Sequence, residues 1–200
     1  MKPQVVSIRG THGSGKSTIV KKILDKYPHV PKFYNPEDKR PYGYEVTLSP
    51  LKRLFVVGPY HTACGGCDAV QPYSDIWPMV HSANAAGMHV LFEGALVSSS
   101  YGSIGHAMHA LQESGAADCT FAFLDTPLVT CLDRIAARRA AKGNLEPVNP
   151  HNTASKFDNV LRTKDQMRRL GSLVRIVDLD YEHPVTGVLK LFGVTLRNEP

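Results

Sequence analysis

Arg9-Gly10-Thr11-His12-Gly13-Ser14-Gly15-Lys16-Ser17-Thr18 carries the pattern G-x-x-x-x-G-K-[ST] without substitution, from Gly10 to Ser17. An apolar run, Val5-Val6-Ser7-Ile8, precedes it, and Ile19, Val20, Ile23, Leu24 and Tyr27 follow at helical spacing. This is the strand–loop–helix context that gives the pattern meaning. The glycines let the backbone wrap tightly, so successive N–H groups from Gly10 to Thr18 point at phosphate oxygens. The positive end of the following helix adds to that attraction. Lys16 is then positioned for β/γ-phosphates and the Ser17 hydroxyl for Mg²⁺, which implies that the chain binds a nucleoside triphosphate.

Two hundred residues suit a single α/β domain over 1–200, with room for a lid but hardly for a second core. Hydrophobic residues make up 42 % of the chain, and no apolar run approaches membrane-spanning length. The run at Val5–Ile8 is too short for a signal-peptide core, so a cytoplasmic location and no membrane partner are expected. Cys64, Cys67, Cys119 and Cys131 do not make a disulfide framework at this length. The net charge of +5 suits a polyanionic ligand, with nucleotide and nucleic acid both qualifying. Its cations concentrate in two places: Arg134, Arg138, Arg139 and Lys142, then a run from Lys156 to Arg175. The second run reads either as a solvated helical face or as an anion contact.

Along the chain, a polar stretch from Pro28 to Tyr44 leads to two strands, Tyr44–Leu48 and Leu51–Val57, joined as a hairpin through Ser49-Pro50. A helix is expected from about Ser74 to Ala86, with Pro78 starting or breaking it. His89–Glu93 reads as a buried parallel strand with Glu93 at its carboxyl end, and Thr120–Leu124 as another. Helices are expected over Ser103–Ser114 and Leu128–Ala141, the latter with Leu128, Cys131, Leu132 and Ile135 on its apolar stripe. Arg139 shares that stripe at the far end, so it is expected to leave the core and meet an anion. Ser155 with Asp158 reads as a capping pair for a helix to Leu170, followed by a strand over Leu173–Leu179 and a helix over Thr186–Phe192. Strands alternating with helices imply a three-layer α/β fold around a mainly parallel sheet.

The chain lacks the N-K-x-D guanine motif and the string L-S-G-G-Q. It resembles the nucleoside and nucleotide kinase branch of the P-loop superfamily. The resemblance rests on the phosphate loop, on Leu91-Phe92-Glu93-Gly94, and on Phe123-Leu124-Asp125-Thr126-Pro127 followed by Cys131-Leu132-x-Arg134-x-x-x-Arg138-Arg139. It implies an ATP- and Mg²⁺-dependent phosphotransferase whose arginine-bearing helix opens into a short lid, here about 138–155. Arginines folding over the phosphates supply positive charge to the transferred group and exclude water; Arg138 and Arg139 are the candidates, with Arg134 next. Glu93 stands where such enzymes hold Mg²⁺ or orient the acceptor; alternatively it is a structural carboxylate bonded to the loop.

A narrower likeness links Gly10–Thr18, Cys64-Gly65-Gly66-Cys67-Asp68, Phe92-Glu93-Gly94 and Glu146-Pro147-Val148-Asn149-Pro150 to small P-loop kinases of DNA phages. That group includes 5-hydroxymethyluracil DNA kinases, which phosphorylate a hydroxymethyl group on a modified thymine within DNA. The likeness implies DNA containing a modified pyrimidine as partner. For such a primary alcohol Asp68 is the first candidate base and Glu93 the second; a turn or cap role is the alternative for Asp68. Tyr60, Tyr73, Trp77 and Tyr101 are available to stack on an extruded base, although core packing is expected for at least half of them. Cys64 and Cys67 have zinc spacing with His61 nearby, but no second pair completes a site, so a tight Gly-Gly turn is the simpler reading. Two alternatives stay open: a kinase of free deoxynucleosides or their monophosphates, and a nucleotide-gated nucleic-acid-binding module without transfer.

Overall fold

The structure, a computed structural model, describes residues 2–61, 65–169, 171 and 173–195. Its centre is a seven-stranded sheet: Gln4–Arg9 (β1), His29–Lys32 (β2), Gly43–Ser49 (β3), Lys52–Val57 (β4), His89–Glu93 (β5), Asp118–Leu124 (β6) and Arg175–Leu179 (β7). The spatial order is β2-β3-β4-β5-β1-β6-β7. From β4 to β7 every pairing is parallel, while β2, β3 and β4 pair antiparallel at one edge.

Alternation along β1 explains the layers. Val5 points into a core closed by Ile76–Ala85 (α2), Ala95–Ser99 (α3), Gly102–Glu113 (α4) and Pro150–Arg169 (α6). Val6 and Ile8 point to the other face, covered by Lys16–Lys26 (α1) and Pro184–Leu191 (α7). Helix α5, Leu128–Ala140, buries Cys131 and Ile135 and packs beside α6. The three-layer, mainly parallel fold read from the sequence is the fold observed. Both faces of β1, β5 and β6 are covered, which is why those strands are nearly continuous apolar runs.

Several elements differ from expectation. Strand β2 lies inside the polar Pro28–Tyr44 stretch; it is an exposed edge strand, so it shows no apolar alternation. Helix α6 begins at Pro150, which leaves Ser155 and Asp158 inside it rather than at its cap. The start is set instead by Asn149, whose Oδ1 accepts the His151 amide at 3.0 Å, with Pro150 preset for a first turn. Pro78 sits in the first turn of α2, where its missing N–H breaks no helical bond. The short α3 lies in a stretch for which the sequence pattern predicts no element.

Strand order reverses at β1, with β5 on one side and β6 on the other, and the crevice at the carboxyl ends there is where such sheets bind ligands. The phosphate loop leaves β1 at this point. Ile8 is registered against Glu93, so the loop and the acid emerge side by side.

Candidate active site

The loop from Gly10 to Gly15 turns through Gly13 (φ 78°) and Gly15 (φ 102°), a region that side chains rarely adopt. A Cβ at Gly13 would also collide with the Cys131 carbonyl of α5. Other elements hold the loop. Gly10 N donates to Ser98 Oγ at 3.1 Å, while Thr126 Oγ1 and Arg134 Nη1 donate to the Ser14 carbonyl at 2.9 and 3.2 Å. Lys16 is buried and donates to the carbonyls of Gly10 and Thr11 at 2.8 and 2.9 Å. Burial lowers its pKa, and the neighbouring Glu93 carboxylate opposes that shift.

Glu93 is 1 % exposed, and its Oε1 accepts hydrogen bonds from Ser17 Oγ at 2.9 Å and Tyr60 Oη at 3.1 Å. Burial raises its pKa, while Lys16 and both hydroxyls pull it down. Gly66 (φ 82°) presses against this carboxylate, and any Cβ there would collide with it. The Gly65-Gly66 turn thus brings its loop directly onto Glu93. Cys67 is buried beside it, with its thiol pKa pushed up by burial. Cys64 lies outside the described residues, and His61 is exposed.

Around this centre opens a cleft of about 910 Å³. The phosphate loop, from His12 to Thr18, forms its floor. Tyr181, Glu182 and Val185 line it from beyond β7, and Gly65, Asp68 and Ala95 from beyond β4 and β5, on the other side of β1. Arg134 and Arg138 of α5 border it. His12 Nε2 lies 3.2 Å from Lys156 Nζ of α6. An ammonium can only donate, so His12 accepts through Nε2 and is neutral. Burial first, then Lys156 and Lys16, lower its pKa.

Of the residues proposed from sequence, Lys16, Ser17, Glu93, Arg134, Arg138 and Asp68 meet in this one cleft. Asp68 also caps α3, with its Oδ2 and Oδ1 accepting the amides of Ala95 and Leu96 at 2.7 and 3.2 Å. Arg139 does not line the cleft. It turns to the following loop, donating to the Pro147 carbonyl, Asn144 Oδ1 and Glu146 Oε2 at 3.2, 3.3 and 3.4 Å. The four aromatics are occupied elsewhere: Tyr60 holds Glu93, while Tyr73, Trp77 and Tyr101 pack partly buried against the core.

Sequence reasoning missed Arg9. It ends β1 fully buried, with Nη1 donating to the Ser100 carbonyl at 3.1 Å and its guanidinium 4.4 Å over the Phe121 ring. Among the described residues its Nε and Nη2 have no hydrogen-bond partner, and neither do Ser7 Oγ and Tyr73 Oη. Burial lowers the Arg9 pKa to about 9. A charged residue closing an otherwise apolar buried strand was the available signal.

No described helix is long and apolar enough to cross a membrane. A family model described as 5-hmdU DNA kinase matches residues 2–180. A 5-hmdU DNA kinase of Pseudomonas phage PaMx11 is 38 % identical over 180 residues, covering 90 % of this chain and 93 % of its own length. Two further 5-hmdU DNA kinases are similar. That of Delftia phage PhiW-14 is 32 % identical, covering 82 % of this chain and 64 % of its own. That of Pseudomonas phage M6 is 29 % identical, covering 88 % and 91 %. With its phosphate loop, paired acid and arginine helix around one cleft, the chain is a P-loop kinase and belongs to the 5-hmdU DNA kinase family.

Proposed function

We propose that this enzyme transfers the γ-phosphoryl group of ATP to the hydroxymethyl oxygen of 5-hydroxymethyluracil within DNA. The observation that carries the reading is the convergence of Lys16, the Ser17–Glu93 pair, Arg134, Arg138 and Asp68 on one cleft, in a chain of this family. The phosphate loop would cradle the β- and γ-phosphates, with Lys16 exchanging its loop carbonyls for phosphate oxygens. The end lined by Tyr181 and Val185 would take the nucleoside of the donor, and the end lined by Gly65, Asp68 and Ala95 the acceptor.

Ser17 Oγ and Glu93 Oε1, 2.9 Å apart, are hard oxygen donors of the kind Mg²⁺ takes together with water and phosphate, so the residues fit the ion. When bound, it neutralises charge on the β- and γ-phosphoryl oxygens. Tyr60 Oη and the Gly65-Gly66 turn keep Glu93 aimed at Ser17. Arg138 and Arg134 would supply charge over the transferred group. Asp68, oriented by the two α3 amides, would accept the hydroxyl proton as the acceptor oxygen bonds to γ-phosphorus. The β–γ bridging oxygen leaves with its electron pair on ADP. Residues 138–155 would act as a lid within a single kinase domain, with Arg139 bracing the loop through Pro147 and Asn144. An enzyme with this substrate would work in a host cytoplasm.

The test is transfer of γ-³²P from ATP to a panel of duplex DNA with and without 5-hydroxymethyluracil, free nucleosides and monophosphates. Label confined to the modified DNA is expected. Label on a free nucleoside or monophosphate would make the enzyme a metabolic kinase, and no label anywhere would make it a binding module.

A further inference from the structure

Helix α6 treats its two flanks differently. Lys164 and Arg168 reach Asp178 of β7 as ion pairs, the latter at 2.9 Å. On the opposite side Asn152, Ser155, Asn159, Arg162, Gln166 and Arg169 recur at spacings of three and four, all exposed. At 3.6 residues per turn they share an arc of roughly 100° and run for about 25 Å. No carboxylate interrupts the stripe. Lys156 and Thr163 border one edge, and these residues touch His12 of the phosphate loop at 3.2 Å and the Ser99 carbonyl of α3 at 3.4 Å. Asp158 and Asp165 border the other edge.

The stripe places Asn and Ser, two poor helix formers, at exposed positions of the helix. Among the described residues Arg162 and Arg169 form no ion pair, despite Asp158 and Asp165 standing four positions before them. A shallow groove of about 340 Å³ runs between Arg162, Asp165, Gln166 and Arg169. Arginine with Asn, Gln and Ser is the set that contacts DNA phosphates and sugars. The stripe begins beside the phosphate loop and faces the α3 side, where Asp68 and Ala95 line the acceptor end of the cleft.

We propose that this stripe is the track for the sugar-phosphate backbone of the acceptor DNA, which delivers the modified base to the cleft between α3 and the phosphate loop. The inference rests on the DNA-kinase reading above.

The experiment compares wild type with Arg162→Gln/Arg169→Gln on a long duplex containing 5-hydroxymethyluracil, across a salt series. A second double variant, Lys39→Gln/Arg40→Gln, removes equal charge from the exposed loop between β2 and β3. The stripe variant should raise KM for DNA roughly tenfold and lower the slope of log KM against log salt by about 1.8, because two arginine–phosphate pairings no longer form. Its kcat at saturating DNA and its KM for ATP should match wild type, and the control pair should leave the slope unchanged. Wild-type KM and slope in the stripe variant, with wild type active on modified DNA, would overturn the track alone. Wild type inactive on modified DNA would overturn the function and the track together.

Discussion

The two polar regions at the carboxyl end of β1 are built in opposite ways. On one side Lys16 is bonded to carbonyls of the phosphate loop, and Glu93 of β5 accepts from Ser17 and from Tyr60 in the loop after β4. On the other, beneath α3, Arg9 has two nitrogens and Ser7 and Tyr73 have hydroxyls without hydrogen-bond partners among the described residues. In the first region Ser17 and Glu93 are held together by direct bonds, which suits phosphoryl transfer by positioning and electrostatics. The second holds buried hydrogen-bonding capacity unmet, which costs stability. The catalytic carboxylate and ammonium are therefore hydrogen-bonded, whereas the neighbouring corner leaves most of its polar groups unmatched among the described residues.

Substitutions can break or sharpen that contrast. Lys16→Ala should abolish turnover, by at least about a thousandfold, in a protein that still folds. Residual activity near wild type would remove the phosphate-loop assignment.

Glu93→Gln keeps an oxygen for the Ser17 and Tyr60 hydroxyls but loses the charge. Transfer should fall by about two or more orders of magnitude, while the metal-free protein becomes no less stable. The pH dependence has a definite sign. The Glu93 pKa is raised above 4.5 by burial, so its neutral form favours folding at low pH and this contribution is lost as pH rises through the raised value. The stability advantage of the variant should grow from about pH 4.5 upward; thermal melts in chelator check this, and a constant difference would contradict it.

Arg138→Ala should lower kcat by about ten- to a thousandfold. Arg139→Ala should cost less, because that guanidinium is spent on the 144–147 loop. Steady-state kinetics with the reverse ranking would make Arg139 the lid arginine. The smallest effect is expected from Arg9→Met. Replacing a fully buried, half-satisfied guanidinium with an apolar side chain should be neutral or stabilising by about 1–4 kcal/mol. Denaturant unfolding showing a loss of about 2 kcal/mol would mean the corner is satisfied in solution and the contrast is false.

What the sequence revealed follows the same division. The phosphate loop is contiguous, so its chemistry is written in ten consecutive residues, and Glu93 announces itself as an acid ending an apolar run. The parallel strands were legible because both of their faces are buried. Contacts made between distant segments were not: Tyr60 on Glu93, Ser98 on Gly10 and Thr126 on Ser14 join residues far apart in the chain. Arg139 was placed on the correct helix and stripe, but its loop partners at 144–147 depend on a turn that periodicity does not encode. The start of α6 was readable in Asn149-Pro150, a cap followed by a first-turn proline. It was missed because Ser155 and Asp158 imitate a capping pair five residues later.

The most direct test of the central claim is the nucleoside composition of a duplex containing 5-hydroxymethyluracil after incubation with enzyme, ATP and Mg²⁺. Enzymatic digestion and mass spectrometry should find the phosphomethyl nucleoside with wild type and none with Lys16→Ala. An unmodified hydroxymethyl nucleoside after incubation with wild type, while ATP is turned over on a free nucleotide in the same mixture, would contradict the account.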